Sequence, residues 1–208
     1  EPPAHEIRYL GARLLRRDVL LGDELREANR LEKYLSTDTP AEIISSCMHM
    51  AQQLREEISN IERQIKAHIK ASPALRRDNT LLTSIKSVGP QLGMHMLVVL
   101  RSHDFASAEQ AAAFLGVVPI EKAQAHRFVA GPDVENRSTS VESEAFMSAL
   151  CGKIYNKRSE YYDEMCLRGK PKMVAIGALM RKLVHWCYGV LKTGIVFNDE
   201  GLKQVLSI

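Results

Sequence analysis

The sequence lacks the short motifs by which several large classes of enzyme and metal protein are recognised. Its four cysteines, Cys47, Cys151, Cys166 and Cys187, are scattered and form no CxxC pair, which argues against a zinc site. There is no HExxH motif, no P-loop and no dinucleotide-binding fingerprint. We therefore expect reduced, mostly buried thiols, as in a cytoplasmic protein, and no metal or cofactor held by this chain itself.

Long apolar runs are also missing. No uninterrupted stretch approaches the roughly eighteen apolar residues of a membrane helix, and no signal peptide is visible, so we expect no membrane partner. The chain starts with Glu1-Pro2-Pro3 instead of Met, which favours a piece of a longer protein with a preceding domain.

The charge of the chain is small but unevenly distributed. Residues 152–192 hold nine Lys/Arg and three Asp/Glu, a local charge of +6, within a chain whose net charge is +3. The remainder therefore carries a charge of −3. A basic C-terminal third indicates either a polyanionic partner or a solvated basic surface, and charge alone does not decide between them.

The spacing of apolar residues predicts an all-α fold that begins with two long helices, over 4–35 and about 40–71. The predicted apolar stripe of the first comprises Ile7, Leu10, Leu14, Leu21, Leu25, Ala28, Leu31 and Leu35, interrupted by Arg17 and Glu24. The second has a heptad seam of Ile44, Cys47, Ala51, Leu54, Ile58, Ile61 and Ile65. Residues 1–73 are thus predicted to form a long antiparallel coiled-coil hairpin that mediates homo-oligomerisation.

From residue 74 onward the pattern changes to shorter helices punctuated by glycine and proline. This pattern predicts a compact helical domain over 74–208. We expect its helices at 76–84, 90–101, 107–115, 140–155, 157–168 and 171–192, and a loop at 123–137.

The stretch "SVGPQLG", residues 87–93, predicts a helix-hairpin-helix-like turn. Gly89 permits positive φ, and Pro90 suits the first position of the next helix. Free N–H groups at that helix start could hold a DNA phosphate, which makes Ser87, Gly89 and Gly93 candidate nucleic-acid contacts. The alternative is a simple interhelix turn in which Gly93 serves close packing.

The stretch "LRGKPKMVAIGALMRKLVHWCYGVLKTG", residues 167–194, places cations where a helix begins. Arg168, Lys170 and Lys172 crowd an N-terminus, where they do not complement the helix dipole and therefore favour an external anion over solvated loop side chains. The same helix carries further candidate nucleic-acid contacts, Arg181, Lys182 and Lys192.

Several serines could serve as nucleophiles or merely as helix caps. They are Ser138, Ser140, Ser143 and Ser148, with Glu142 and Glu144 among them. No histidine or lysine is marked as their base by its spacing, so capping is the simpler interpretation.

Three blocks in order resemble the C-terminal half of the insertion-sequence 110 transposases (IS116/IS110/IS902 type). They are "LLTSIKSVGPQLGMHMLVVL", "FASAEQAAAFLGVVP" and "YYDEMCLRGKPKMVAIGALMRKLVHWCYGVLKTG", and together they cover about residues 75–197. The resemblance implies a DNA recombinase of an insertion element, with a structured guide RNA and an oligomeric assembly. It also implies an N-terminal RuvC-like domain that binds divalent metal through four acidic residues, and a serine nucleophile in the C-terminal domain.

The catalytic loop departs from the family pattern. The family serine follows the "GLxP" proline, here Pro119, and the matching positions are Gln124 or Ala125, neither of which is a nucleophile. Either Ser138 or Ser140 takes the role, or the region is altered, so no catalytic residue is assigned.

The sequence therefore leaves three functions open. The chain is part of an active transposase that binds DNA, a catalytically inactive relative that acts as a DNA-binding or oligomerisation module, or a structural protein with an incidental basic face.

Overall fold

The computed structural model describes residues 1–117 and 158–198, and these residues form helices without a strand. The all-α fold class predicted from the sequence is confirmed. The seven helices of the described residues are α1 (Ala4–Leu35), α2 (Ala41–Ala71), α3 (Pro73–Thr83), α4 (Pro90–Ser102), α5 (Ala108–Phe114), α6 (Arg158–Leu167) and α7 (Lys172–Thr193). The helix predicted over 140–155 and the loop predicted over 123–137 lie outside the described residues.

The chain divides into two compact units. One is Arg8–Pro73, and the other combines Glu1–Ile7 with the described residues from Ala74 onward. We call them the hairpin unit and the C-terminal unit.

In the hairpin unit, α1 and α2 run antiparallel. Arg17 Nε lies 3.0 Å from Glu62 Oε1, and Arg55 Nε lies 2.9 Å from Glu24 Oε1. Moving from Arg17 to Glu24 advances seven residues along α1, and moving from Glu62 to Arg55 goes back seven residues along α2, as expected for antiparallel helices. Supercoiling of the pair and self-association through it stay predictions.

The buried face of α1 differs from the predicted stripe. Leu21, Leu25 and Leu35 are exposed, whereas Leu20 and Arg17 are buried. The physical reason is that Arg17 and Glu24, which were expected to interrupt the apolar stripe, point toward α2 and form ion pairs with it. The contact between α1 and α2 therefore includes charged positions. The seam of α2 is closer to expectation, and its buried members are Cys47, Ala51, Ile61 and Ile65.

The C-terminal unit packs around α7. This helix contacts α4, α5 and α6 and buries ten residues: Ala175, Ile176, Leu179, Met180, Leu183, Val184, Trp186, Cys187, Val190 and Leu191. Its apolar positions recur at spacings of three and four, which places them on one broad face of the helix. The helix ends at Gly194, whose φ of 69° is the left-handed conformation that favours glycine.

A buried ion pair connects three helices of this unit. Arg101 Nε in α4 donates to Asp78 Oδ2 in α3 at 2.8 Å, and Arg101 Nη2 donates to the Leu191 carbonyl of α7 at 3.3 Å. The Arg101 and Asp78 side chains are only 14% and 6% exposed. The pair therefore fixes the relative position of α3, α4 and α7.

Helix α7 is long and apolar enough to cross a membrane by length and composition alone. However, 56% of its most apolar window is buried within the structure. The core helix of a soluble protein has the same properties, so α7 is not evidence for a membrane protein.

Candidate nucleic-acid interface

The turn between α3 and α4 contains a strained residue, but it is not the predicted one. Ser87 has a φ of 80°, whereas Gly89 has an ordinary φ of −73° and ψ of 169° as the N-cap of α4. The expectation that Gly89 supplies positive φ is therefore wrong. The turn reverses two residues earlier, since Val88 N–H already bonds the Ile85 carbonyl at 2.9 Å. Pro90 occupies the start of α4 as predicted.

The two glycines of this turn have different surroundings. A Cβ added to Gly89 would meet no atom within 4 Å, and Gly89 is exposed. A Cβ added to Gly93 would lie 3.2 Å from Thr83 Cγ2, and Gly93 is buried. Close helix packing therefore accounts for Gly93, in agreement with the alternative interpretation of the motif. Of the other two candidates, Gly89 is exposed and Ser87 is half-buried.

The turn between α6 and α7 presents cations at an uncapped helix start. Gly169 adopts a φ of 78°, and Lys170 N–H bonds the Met165 carbonyl at 3.1 Å, which closes α6. Pro171 is the N-cap of α7 and provides no side-chain hydrogen bond, and the first turn of α7 contains no acidic residue. The free N–H groups of this helix start are therefore satisfied by no side-chain cap.

The three cations at this turn are not equivalent. Arg168 is paired with Glu164 one turn earlier in α6. Lys170 and Lys172 are exposed, and neither has an acidic partner within the described part of the chain. Two uncompensated ammonium groups thus flank the positive end of the α7 dipole, where they destabilise the helix unless an anion binds.

The cations farther along α7 are engaged with aromatic side chains. Lys182 Nζ lies 4.2 Å from the centroid of the Tyr161 ring, a cation–π contact that joins α6 to α7. Lys192 Nζ donates to Tyr188 Oη at 3.3 Å, and that hydroxyl in turn donates to the Phe105 carbonyl at 3.0 Å. Lys182 therefore has a packing role, its contact with nucleic acid stays a prediction, and Lys192 is exposed.

Arg181 belongs to a small electrostatic cluster that the sequence did not indicate. Its neighbours are His185, one turn later in α7, and Glu109 of α5, whose Oε1 lies 3.9 Å from His185 Nδ1. Burial lowers the pKa of His185, and nearby Arg181 lowers it further against the opposing effect of Glu109. The pKa of Glu109 is lowered mainly by hydrogen bonds, to its own backbone and to Ser107. This contact between α5 and α7 depends on tertiary packing, which has no signal in sequence spacing.

The structure does not gather the predicted residues of α7 at a single point. Lys172 and Lys192 are twenty residues apart on one helix, a separation of about 30 Å at 1.5 Å per residue. The candidate contacts on α7 therefore extend from its first turn to its last, and the remaining candidates lie in the α3–α4 turn.

The catalytic alternatives fall elsewhere in the chain. Gln124, Ala125, Ser138 and Ser140 all lie outside the described residues, as do Ser143 and Ser148. Within residues 1–117 and 158–198, no group of three or more His, Cys, Asp or Glu side chains could hold a metal ion. No chemical step through a metal is therefore derived from these residues.

Comparison with known proteins finds a family model and two curated relatives that parts of this sequence resemble. The model of the transposase IS116/IS110/IS902 family matches residues 79–127, which contain the α3–α4 turn, α4 and α5. Two curated relatives, each called pilin gene-inverting protein, are 27% (Moraxella lacunata) and 26% (Moraxella bovis) identical over 155 residues. Each alignment covers 70% of this chain and 46% of the relative, so the chain spans about half the length of the curated relatives it matches. These matches confirm the resemblance drawn from the sequence blocks: residues 79–127 match the model of the IS116/IS110/IS902 transposase family, and the two curated relatives are distant homologues.

Proposed function

We propose that this chain forms part of a DNA transposase or recombinase, binds DNA and contributes to strand cleavage and exchange. The family match over 79–127 supports this function. The name of the two relatives, pilin gene-inverting protein, supports it as well, because a gene can be inverted only by breaking and rejoining DNA strands. The local charge of +6 over residues 152–192 suits a polyanionic partner.

The observation that carries the proposal is the uncapped start of α7 beside Lys170 and Lys172. Phosphates at this point would accept hydrogen bonds from the free backbone N–H groups and neutralise the ammonium groups of Lys170 and Lys172. Such contacts hold the sugar-phosphate backbone without reading base sequence. A DNA backbone would therefore supply both the hydrogen-bond acceptors that the helix start lacks and the negative charge that the two lysines lack.

The α3–α4 turn offers a second contact of the same kind. Gly89 is exposed, precedes Pro90 at the start of α4, and leaves open space where a side chain would project. A phosphate can therefore approach the backbone at Gly89 more closely than at a residue with a side chain. In this proposal Ser87 lies beside the contact and Gly93 supports it from within the fold.

Other components of the proposal follow from the family resemblance. We assign a structured guide RNA as a second nucleic-acid partner and the hairpin unit as the site of homo-oligomerisation. Divalent metal belongs in this proposal to a RuvC-like domain outside the residues of this chain.

A salt titration of duplex DNA binding tests the proposal. The double variant Lys170→Gln with Lys172→Gln removes two phosphate contacts and reduces the slope of log affinity against log salt by about 2. The control, Arg26→Gln with Arg30→Gln, removes two charges that are already paired with Asp23 and Glu27 on α1. Equal slopes for both double variants would reject the α7 start as a DNA contact, and no binding at low salt would reject the function.

A second candidate is a catalytically inactive DNA-binding module. It is favoured by the catalytic loop, because Gln124 or Ala125 stands where the family resemblance places a serine. Recombination assays of the full reading frame with Ser138→Ala and Ser140→Ala separate the two functions. Loss of activity in either variant supports the enzyme, whereas recombination absent from the unmodified protein supports the inactive module.

A further inference from the structure

The first part of α1 has an excess of positive charge that the fold does not use. Residues 7–17 contain four arginines and no acidic residue. One of them, Arg17, is buried and paired with Glu62 and Asp18. The other three, Arg8, Arg13 and Arg16, have no acidic partner within the described ranges. These three guanidinium groups are a source of positive potential that internal ion pairs leave unneutralised.

Two of these arginines line an open groove together with an aromatic ring. The groove has a volume of about 400 Å³ and is lined by Tyr9, Ala12, Arg13, Arg16 and Ile61. We call this set the arginine groove. It lies entirely within the hairpin unit, at the end of the two helices opposite their connecting turn.

The groove combines an apolar floor with a partly exposed aromatic side chain. Ile61 of α2 is 8% exposed, whereas Tyr9 is 51% exposed. Arg13 Nη1 donates to the Tyr9 carbonyl at 3.2 Å, which holds that guanidinium close to the tyrosine. The guanidinium carbon of Arg8 lies 5.9 Å from the centroid of the Tyr9 ring. Charge and a flat aromatic surface are therefore concentrated within two turns of one helix.

We propose that the arginine groove binds an unpaired nucleic-acid strand, with a base stacked on Tyr9 and neighbouring phosphates held by Arg13 and Arg16. Proteins that bind single strands combine cationic side chains for the backbone with aromatic rings for the bases. The uncompensated arginines supply the cationic element, and the exposed Tyr9 above the apolar floor supplies the aromatic one.

Other occupants match the groove less well. A DNA duplex keeps its bases stacked inside, so it would engage the arginines and leave the apolar floor and the ring unused. A second hairpin would bring another copy of the same arginine-rich segment toward this one if the groove faced itself, and like charges would oppose that contact. A strand with exposed bases satisfies all three chemical features.

This site extends the proposed function and does not depend on the α7 start. The two surfaces belong to different units, and they are expected to prefer different forms of nucleic acid. Separate substitutions in the full chain can therefore distinguish them.

Binding of fluorescent oligo-dT and oligo-U of roughly 12 nucleotides, within the site sizes known for single-strand binders, tests the inference. The double variant Arg13→Gln with Arg16→Gln should reduce the slope of log affinity against log salt by about 1.4, since each single-strand phosphate contact contributes about 0.7. The paired arginines give the matched control, Arg26→Gln with Arg30→Gln, which should leave the slope unchanged. Comparing the DNA and RNA oligonucleotides shows which sugar the strand carries.

The tyrosine provides an independent readout. Tyr9→Ala should weaken binding roughly 5- to 150-fold, the range expected for loss of one base stack, whereas Tyr9→Phe keeps the ring and should bind like the unmodified chain. Circular dichroism checks that the helical content is retained. If the double arginine variant loses helix, Arg16→Glu at an exposed position makes the same test and should also weaken binding.

Several outcomes would overturn the inference. One is an arginine effect equal to that of the control, and another is equal binding by Tyr9→Ala and Tyr9→Phe. A third is an arginine effect seen with duplex DNA but not with single strands, which would indicate duplex binding at this surface. If Lys170→Gln with Lys172→Gln affects duplex binding while the groove variants change nothing, only this inference fails; if the groove variants alone have effects, only the DNA contact at α7 fails.

Discussion

The buried ion pair between Arg101 and Asp78 permits a quantitative prediction about the C-terminal unit. Arg101→Met keeps the length of the side chain but leaves the Asp78 carboxylate, 6% exposed, without its charged partner. Breaking one side of a buried pair costs about 3–5 kcal/mol, because the remaining charge stays desolvated. For a chain of this size each kcal/mol lowers the melting temperature by about 2–4 °C, so the expected decrease is about 6–20 °C.

The assay can be confined to the relevant unit. The chain has one tryptophan, Trp186, which is 7% exposed in α7, so its fluorescence reports unfolding of the C-terminal unit. The control Arg168→Met breaks an exposed pair with Glu164 in the same unit and should cost at most about 1 kcal/mol. The double variant Arg101→Met with Asp78→Leu should recover much of the loss, because an apolar pair leaves no buried charge. A melting temperature for Arg101→Met within error of Arg168→Met would refute the reasoning.

Three further predictions concern α7 and the hairpin unit. Gly194→Ala should destabilise by about 1–2 kcal/mol because alanine at a φ of 69° is strained and its Cβ would lie 2.7 Å from Arg77 Nη2; an unchanged urea midpoint would contradict this. Burial lowers the pKa of His185 below its ordinary value of 6.5, so the unfolded chain binds the proton more readily and the free energy of unfolding decreases as pH falls from 6.5 to the lowered pKa. His185→Gln should flatten that part of a pH series of urea titrations, and an identical pH slope in the variant would count against the assignment. Ile58→Asp puts an unpaired charge into the half-buried seam of α2 and should abolish self-association, and light scattering that gives an unchanged oligomeric mass would disprove it.

Most helix positions could be predicted from the sequence because their signals are local. Apolar residues at spacings of three and four, with glycine and proline at the ends, placed α1 and α2 to within a residue or so of their observed bounds. The same local signals located α4 from Pro90 and α7 from Pro171. The family was recognisable because three blocks occur in a fixed order, a property of the sequence that needs no tertiary structure.

Features that depend on pairing across the chain could not be predicted in this way. Arg17 is buried on α1 because Glu62 faces it from α2, forty-five residues away, and no spacing rule on α1 alone contains that information. For the same reason Leu25 was assigned to the buried stripe although it is exposed. The role of Gly93 likewise depends on Thr83 of the preceding helix.

The candidate site was predictable only in part. The position of the three cations at the α7 start can be predicted from the sequence. Their pairing cannot: Arg168 is paired within α6, whereas Lys170 and Lys172 have no acidic partner among the described residues. The arginine groove was not indicated at all. Residues 7–17 do contain four arginines and no acidic residue, but the groove also needs Ile61, which α2 contributes from a distant part of the sequence.

In the turn between α3 and α4, the residue with positive φ is a serine, and the nearby glycine has an ordinary φ. Ser87 occupies a left-handed conformation that costs a residue with a side chain about 1–2 kcal/mol, while Gly89 adopts an extended conformation open to any residue. Exchanging the two would keep the composition and relax the turn, yet it would put a hydroxymethyl group on the surface at the start of α4. With serine at 87 and glycine at 89, the turn is locally less stable, but the space in front of the α4 start stays free of a side chain. Glycine at position 87 would remove this backbone strain, whereas a side chain at position 89 would occupy the open space in front of the helix start.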